Sequence, residues 1–356
     1  LEIDPALFEE NERTAPAEDG RRFITLNETK IRNGFVFPNL DICYQTWGTL
    51  NESKDNAVLV CHALSGDSNV LGWWERLFGQ GKAVDPKEFF IIGANALGGC
   101  QGTTGPASTA PDGKPWGSRF PQISVEDMAD RHADLLDYLG IEKLRLVAGG
   151  SMGGMQALAL STLHPNRVAK CWMTASCQAH SALQIAFNEV GRQAILRDPK
   201  FAGGNYHPGD PPTNGLSVAR MAGHISYLSE ASFEAKFGRR RQSGGSEQFA
   251  VESYLSYQGD KFTKRFDANS YLVLTRAIDE FEGNSLESAE CEFLLTSFTS
   301  DWLYPSHQSR TLWQNCQDIG IEAVHIEIDA PFGHDSFLLE TVQQGALIRK
   351  FLIGNE

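Results

Sequence analysis

The sequence predicts an α/β protein whose mostly parallel sheet has an antiparallel N-terminal edge and an inserted helical segment. Three observations carry that expectation. Continuous apolar runs recur at residues 57–61, 89–93, 144–148, 169–173, 292–296 and 323–328, as parallel strands covered on both faces require. Helical patterns lie between several of these runs. Ahead of them, short alternating stretches at residues 23–26 and 40–47, parted by Asn- and Gly-containing turns, read as antiparallel hairpins.

Ser124-Val-Glu-Asp127 has the form of a capping box, in which each side chain of the pair satisfies the other's backbone N–H. Met128, His132, Leu135, Leu136 and Leu139 continue along one helix face, and Gly140 suits the turn that ends it. His132 on this apolar stripe is expected in the core and not in catalysis. Residues 155–163 read as helix, and a last helix is expected over residues 337–352. Between residues 178 and 284 the alternation stops. That stretch is helix-like, with polar loops at 203–212 and 242–246, and predicts a helical lid inserted into a catalytic core of residues 1–177 and 285–356.

With 356 residues, 41% hydrophobic and 21% charged, the chain is long enough to bury a large core, and no apolar run reaches the length of a membrane span. A net charge of −14 argues against nucleic acid or an anionic membrane as partner, and an anionic small-molecule substrate would need a local basic entrance. The seven cysteines are scattered, without C-x-x-C or metal-ligand spacing to a histidine, so we expect reduced core thiols, no metal and no tightly bound cofactor. Residues 1–10 lack the basic start and apolar run of a signal peptide, which leads to a cytoplasmic expectation.

Chemistry concentrates at Gly149-Gly-Ser-Met-Gly153, a G-x-S-x-G pattern between a strand and a helix. On so tight a turn Ser151 occupies an unfavourable backbone region, and its neighbours must lack Cβ atoms. The following helix N-terminus favours developing negative charge at the serine. A serine hydroxyl needs a base, and the base needs an orienting acid. In the order serine, acid, histidine, Asp301 follows a late strand and His334 follows the last one. His325 lies within a strand, His307 follows Asp301 too closely, and Asp329, the alternative acid, immediately precedes the base loop. Met152 and Leu64 N–H groups are the expected oxyanion donors, with His62 packing the loop after the first long strand.

Together these segments resemble the homoserine O-acetyltransferase family of α/β-hydrolase-fold enzymes. The matching stretches are His62-Ala-Leu-Ser-Gly-Asp67, Gly98-Gly-Cys-Gln-Gly-Thr-Thr-Gly-Pro106, Gly149-Gly-Ser-Met-Gly-Gly-Met-Gln156, Arg265-Phe-Asp-Ala-Asn-Ser-Tyr271, Asp301-Trp-Leu-Tyr-Pro305 and Gly333-His-Asp-Ser-Phe-Leu338. The resemblance implies an α/β-hydrolase fold, acetyl-CoA as co-substrate and homoserine as acceptor, in methionine biosynthesis. It further implies that Arg220 and Tyr227 contact the acceptor carboxylate, that Asp335 holds its amine, and that Ser65 borders the same pocket. A homodimer through the lid is implied as well. Ala159 and Leu160 depart from the Glu-Trp expected after the elbow, and Ser65 and Ser226 replace threonines.

The implied reaction is ping-pong, with the acyl group carried on Ser151 while water is excluded. Orientation of the acceptor can supply on the order of 10⁵ M of effective molarity against solvent. Donor and acceptor stay open: homoserine or serine O-succinyl transfer and deacetylcephalosporin C-type acetyl transfer share most motifs. A plain carboxylesterase and a non-catalytic binding protein are the alternatives of other classes. Lys236, Arg239, Arg240 and Arg241 form a basic run, with Lys261, Lys264 and Arg265 nearby, read first as a solvated lid face.

Overall fold

The computed structural model describes residues 8–9, 19–242, 247–283 and 285–354. Among the described residues nine strands form one sheet in the order β1-β2-β3-β5-β4-β6-β7-β8-β9. They are β1 (Phe8–Glu9), β2 (Arg22–Lys30), β3 (Val36–Trp47), β4 (Ala57–Cys61), β5 (Phe90–Ala94), β6 (Leu146–Gly150), β7 (Lys170–Thr174), β8 (Glu292–Phe298) and β9 (Ala323–Ile328). The pairs up to β3·β5 are antiparallel, and every pair from β5·β4 to β8·β9 is parallel.

The period of two along a strand explains the continuous apolar runs. Leu59 and Cys61 of β4 enter the core on one face, while Val58 and Val60 join Leu146, Ala148 and Trp172 on the other. The second face is closed by aromatic rings. Trp172 stacks on Trp74 at 5.1 Å, and the Trp74 indole donates to the Phe337 carbonyl at 3.0 Å.

The helix Val125–Tyr138 begins with the expected box: Ser124 Oγ accepts from Asp127 N–H at 3.2 Å and the Asp127 carboxylate from Ser124 N–H at 2.9 Å. His132 is buried on it and pairs with Gln156 Oε1 at 3.0 Å. The single last helix expected over 337–352 is two helices, Ser336–Leu339 and Val342–Ile353. Glu340 divides them, because its carboxylate accepts the N–H groups of Val342, Gln343 and Gln344 and so starts a new helix.

Between β7 and β8 the described residues hold helices and no strand: Ala182–Leu196, Thr213–Tyr227, Glu230–Lys236, Ala250–Thr263 and Ala268–Asp279. Most of the loop expected at 242–246 lies outside the described residues. No helix among them is long and apolar enough to cross a membrane.

Candidate active site

The C-terminal ends of the parallel strands converge on one place, as in open α/β sheets generally. β6 ends at Gly150, and Ser151 turns into the helix Met152–Leu163 with φ +56° and ψ −126°. A non-glycine residue in that region carries on the order of 1–3 kcal/mol of strain. Two hydrogen bonds hold it: Ser151 N–H donates to the Thr174 carbonyl at 3.1 Å, and Ser176 Oγ–H donates to the Ser151 carbonyl at 2.8 Å. The flanking glycines are required by space. A Cβ at Gly149 would lie 2.1 Å from the Gly153 carbonyl oxygen, and one at Gly153 would lie 2.1 Å from that of Cys61.

Asp301 follows β8 and His334 follows β9, where the two meet. His334 Nδ1–H donates to Asp301 Oδ2 at 2.8 Å, and both side chains are buried. The remaining carboxylate oxygen, Oδ1, accepts from the N–H groups of Leu303 at 3.0 Å and Tyr304 at 2.8 Å. Asp329 is exposed and takes the Thr299 hydroxyl instead, at 2.8 Å. Among the described residues no hydrogen bond joins Ser151 to His334. Links of this kind often tighten only when substrate is bound.

Leu64 and Ser65 are the central residues of a turn closed by Gly66 N–H to the Ala63 carbonyl at 2.8 Å, directly after β4. His62 beneath them is a loop-packing residue: Ala96 N–H donates to its Nε2 at 2.9 Å. Leu64 and Ser151 line a cavity of about 50 Å³ together with His180, Gln184, Asn188, Tyr227 and Tyr304. Met152 opens the helix after Ser151, so its N–H has no partner within that helix.

Arg220 and Tyr227 lie on the helix Thr213–Tyr227, above the turn. The Arg220 guanidinium donates to Ser65 Oγ at 3.3 Å and sits over the rings of Phe262, at 4.7 Å, and Tyr227, at 5.3 Å. It makes no ion pair among the described residues. A pocket of about 470 Å³ opens here, bordered by Ser65, Asp67, Trp73, Arg220, Lys261 and Arg265. Burial pushes His224 down to about 3, and the charges of Arg220, Lys236 and Arg265 push the same way. Burial raises Asp335, against the pull of His334, Arg220 and Lys236. Arg239, Arg240 and Arg241 are exposed, with Arg241 lying over the Phe249 ring at 4.5 Å. The cations beside Arg220 are thus Lys261 and Arg265.

Sequence reasoning assigned no role to Tyr304, which entered only within the matching stretch Asp301-Trp-Leu-Tyr-Pro305. Its ring stacks on His334 with centroids 4.8 Å apart and planes 19° from parallel. Its hydroxyl pairs with His180 Nε2 at 2.7 Å, and His180 Nδ1 pairs with Asp279 at 2.8 Å. Its place three residues after the acid was a signal; the 99-residue separation of His180 and Asp279 gave none.

The strained serine at a strand end, with the acid and histidine on later strands, is the layout of an α/β-hydrolase-fold protein, and a family model of the alpha/beta hydrolase fold matches residues 56–341. A homoserine O-acetyltransferase from Leptospira biflexa is 46% identical over 347 residues, 92% of each chain. The chain belongs to the homoserine O-acetyltransferase family. Among solved structures, homoserine O-acetyltransferase from Bacillus anthracis has a TM-score of 0.88 at 25% identity, over 94% of this chain and 97% of that one. Esterase E22 has a TM-score of 0.86 at 26% identity, over 93% and 99%.

Proposed function

We propose that the chain transfers an acetyl group from acetyl-CoA to the hydroxyl of L-homoserine through an acyl-Ser151 intermediate, in methionine biosynthesis. One observation carries this beyond a generic serine hydrolase. Arg220 and Asp335, opposite in charge, lie near enough for the guanidinium to favour the ionised carboxylate, yet neither forms an ion pair among the described residues. A zwitterionic amino acid supplies the missing carboxylate for the guanidinium fork and the missing ammonium for the carboxylate. Tyr227 and Ser65 border Arg220 on that side.

In this reading His334, oriented by Asp301, takes the Ser151 proton as the serine oxygen attacks the thioester carbonyl. The Leu64 and Met152 N–H groups stabilise the oxyanion. The thiolate of CoA leaves with the proton from His334. The homoserine hydroxyl then gives its proton to His334 and attacks the acyl group, and Ser151 departs as the hydroxyl. The Ser151 cavity is small, about 50 Å³, and the acceptor must displace water from it for transfer to win over hydrolysis. A homodimer through the helical segment is part of the same reading. Val190, Val218, Ile225 and Tyr257 supply exposed apolar surface there.

The test is CoA-thiol release with acetyl-CoA and succinyl-CoA, each against homoserine and serine. Fastest release with acetyl-CoA and homoserine is expected, together with an acetylated Ser151 peptide when donor is added alone. An esterase, which the E22 likeness keeps as the second reading, would hydrolyse p-nitrophenyl acetate at a rate indifferent to homoserine.

A further inference from the structure

Three groups outside the serine, acid and histidine form a buried chain that ends against them. His180 lies where the chain has just left β7, and Asp279 closes the helix Ala268–Asp279. Their side chains are only 2% and 4% exposed. Asp279 is held from two further sides, by Asn188 at 2.7 Å on Oδ1 and by Arg192 at 2.6 Å on Oδ2. Burial opposes its charge, but the bonds from His180, Asn188 and Arg192 outweigh this and keep it below the usual carboxylate range. A carboxylate only accepts, so His180 Nδ1 carries the ring proton, and Nε2 accepts from the Tyr304 hydroxyl.

The phenol at the far end has three neighbours that matter. Its ring covers one face of the His334 imidazole, its backbone N–H holds Asp301, and it lines the cavity containing Ser151. With its proton committed to His180, its oxygen offers a lone pair to the cavity that Ser151 also lines. Fixing the phenol therefore fixes the plate against which the His334 ring lies.

We propose that Asp279, His180 and Tyr304 are positioning residues, a second hydrogen-bonded chain that holds the His334 ring where it serves Ser151 and the acceptor hydroxyl in turn. This rests on the reading of Ser151 and His334 given above. The chain also ties both stems of the helical segment to the acid loop, so the segment that binds the acceptor and the group that deprotonates it share one fixed frame.

Tyr304→Phe keeps the stacked ring and cuts the chain. His180→Leu removes the acceptor of the phenol proton, and His180→Gln restores an acceptor oxygen. We expect Tyr304→Phe and His180→Leu each to lower kcat for acetyl transfer about ten- to a hundredfold, with KM for acetyl-CoA within about twofold of the parent. The double variant should be no slower than the slower single, as for residues acting as one unit, and His180→Gln should recover part of the rate. A kcat within twofold of the parent in both singles, losses that multiply in the double, or an effect confined to KM would each overturn the proposal. Ser151→Ala is run beside them. If it is inert while Tyr304→Phe matches the parent, only the positioning chain is wrong; if it turns over like the parent, the reading of Ser151 is wrong.

Discussion

On the sheet side of the Ser151 cavity, groups are held by backbone: a strained elbow, a turn after β4, and a carboxylate gripped by two N–H groups. On the helical side, groups are held by other side chains: Arg220 on two aromatic rings, Asp279 under His180, Asn188 and Arg192. Backbone-held donors do not depend on which substrate arrives, and they suit a charge that develops in every acyl transfer. Side-chain-held charges can be exchanged without disturbing the sheet. On the proposed function, bond making belongs to one wall and choice of acceptor to the other.

The largest effect is expected from Ser151→Ala, which should lower acetyl transfer and p-nitrophenyl acetate hydrolysis together, by about 10⁴-fold or more. Unequal losses would mean that the two activities do not share the sheet wall. Arg220→Met should raise KM for homoserine about a hundredfold while leaving p-nitrophenyl acetate hydrolysis within a few-fold, the signature of lost carboxylate pairing. Equal loss in both assays would show Arg220 to be a structural prop.

Asp335→Asn is a smaller and two-sided test. Because burial raises the Asp335 carboxyl, the folded state holds a proton that the unfolded chain releases between the ordinary Asp value and the raised one. Its ionised form therefore destabilises the fold at neutral pH, and that penalty fades as pH falls through this window. Asp335→Asn should raise Tm at pH 7, lose the gain in acid, and raise KM for homoserine. The smallest change is expected from Ser124→Ala, which removes a helix cap, at about 1 kcal/mol of unfolding free energy with unchanged kinetics.

Local interactions made much of this legible from the sequence. Residues 57–61 are the strand Ala57–Cys61 because an uninterrupted apolar stretch can be buried on a parallel sheet, and Ser124 with Asp127 forms its cap from residues three apart. The elbow is legible because crowding at Gly149 and Gly153 leaves a mark in composition. What was not legible is non-local or competitive. Glu340 diverts its carboxylate to three N–H groups and splits a helix that periodicity alone would continue. His180 finds Asp279 across the whole helical segment, and the choice of Lys261 and Arg265 over Arg239–Arg241 beside Arg220 depends on how those helices pack. Arg220 itself came only through a family resemblance.

Gly333 has a bearing on traffic through the molecule. A Cβ there would press on the backbone from Tyr227 to Ser229, the Trp302 indole donates to the Leu228 carbonyl at 2.9 Å, and Ser229 donates to the Pro331 carbonyl. The loops bearing acid and base are thereby stitched to the roof above them. A roof that swung open like a door would pull His334 with it and dismantle the machinery at each visit. Ligands are therefore expected to enter without the roof lifting, and a covalent staple between roof and floor should leave turnover intact.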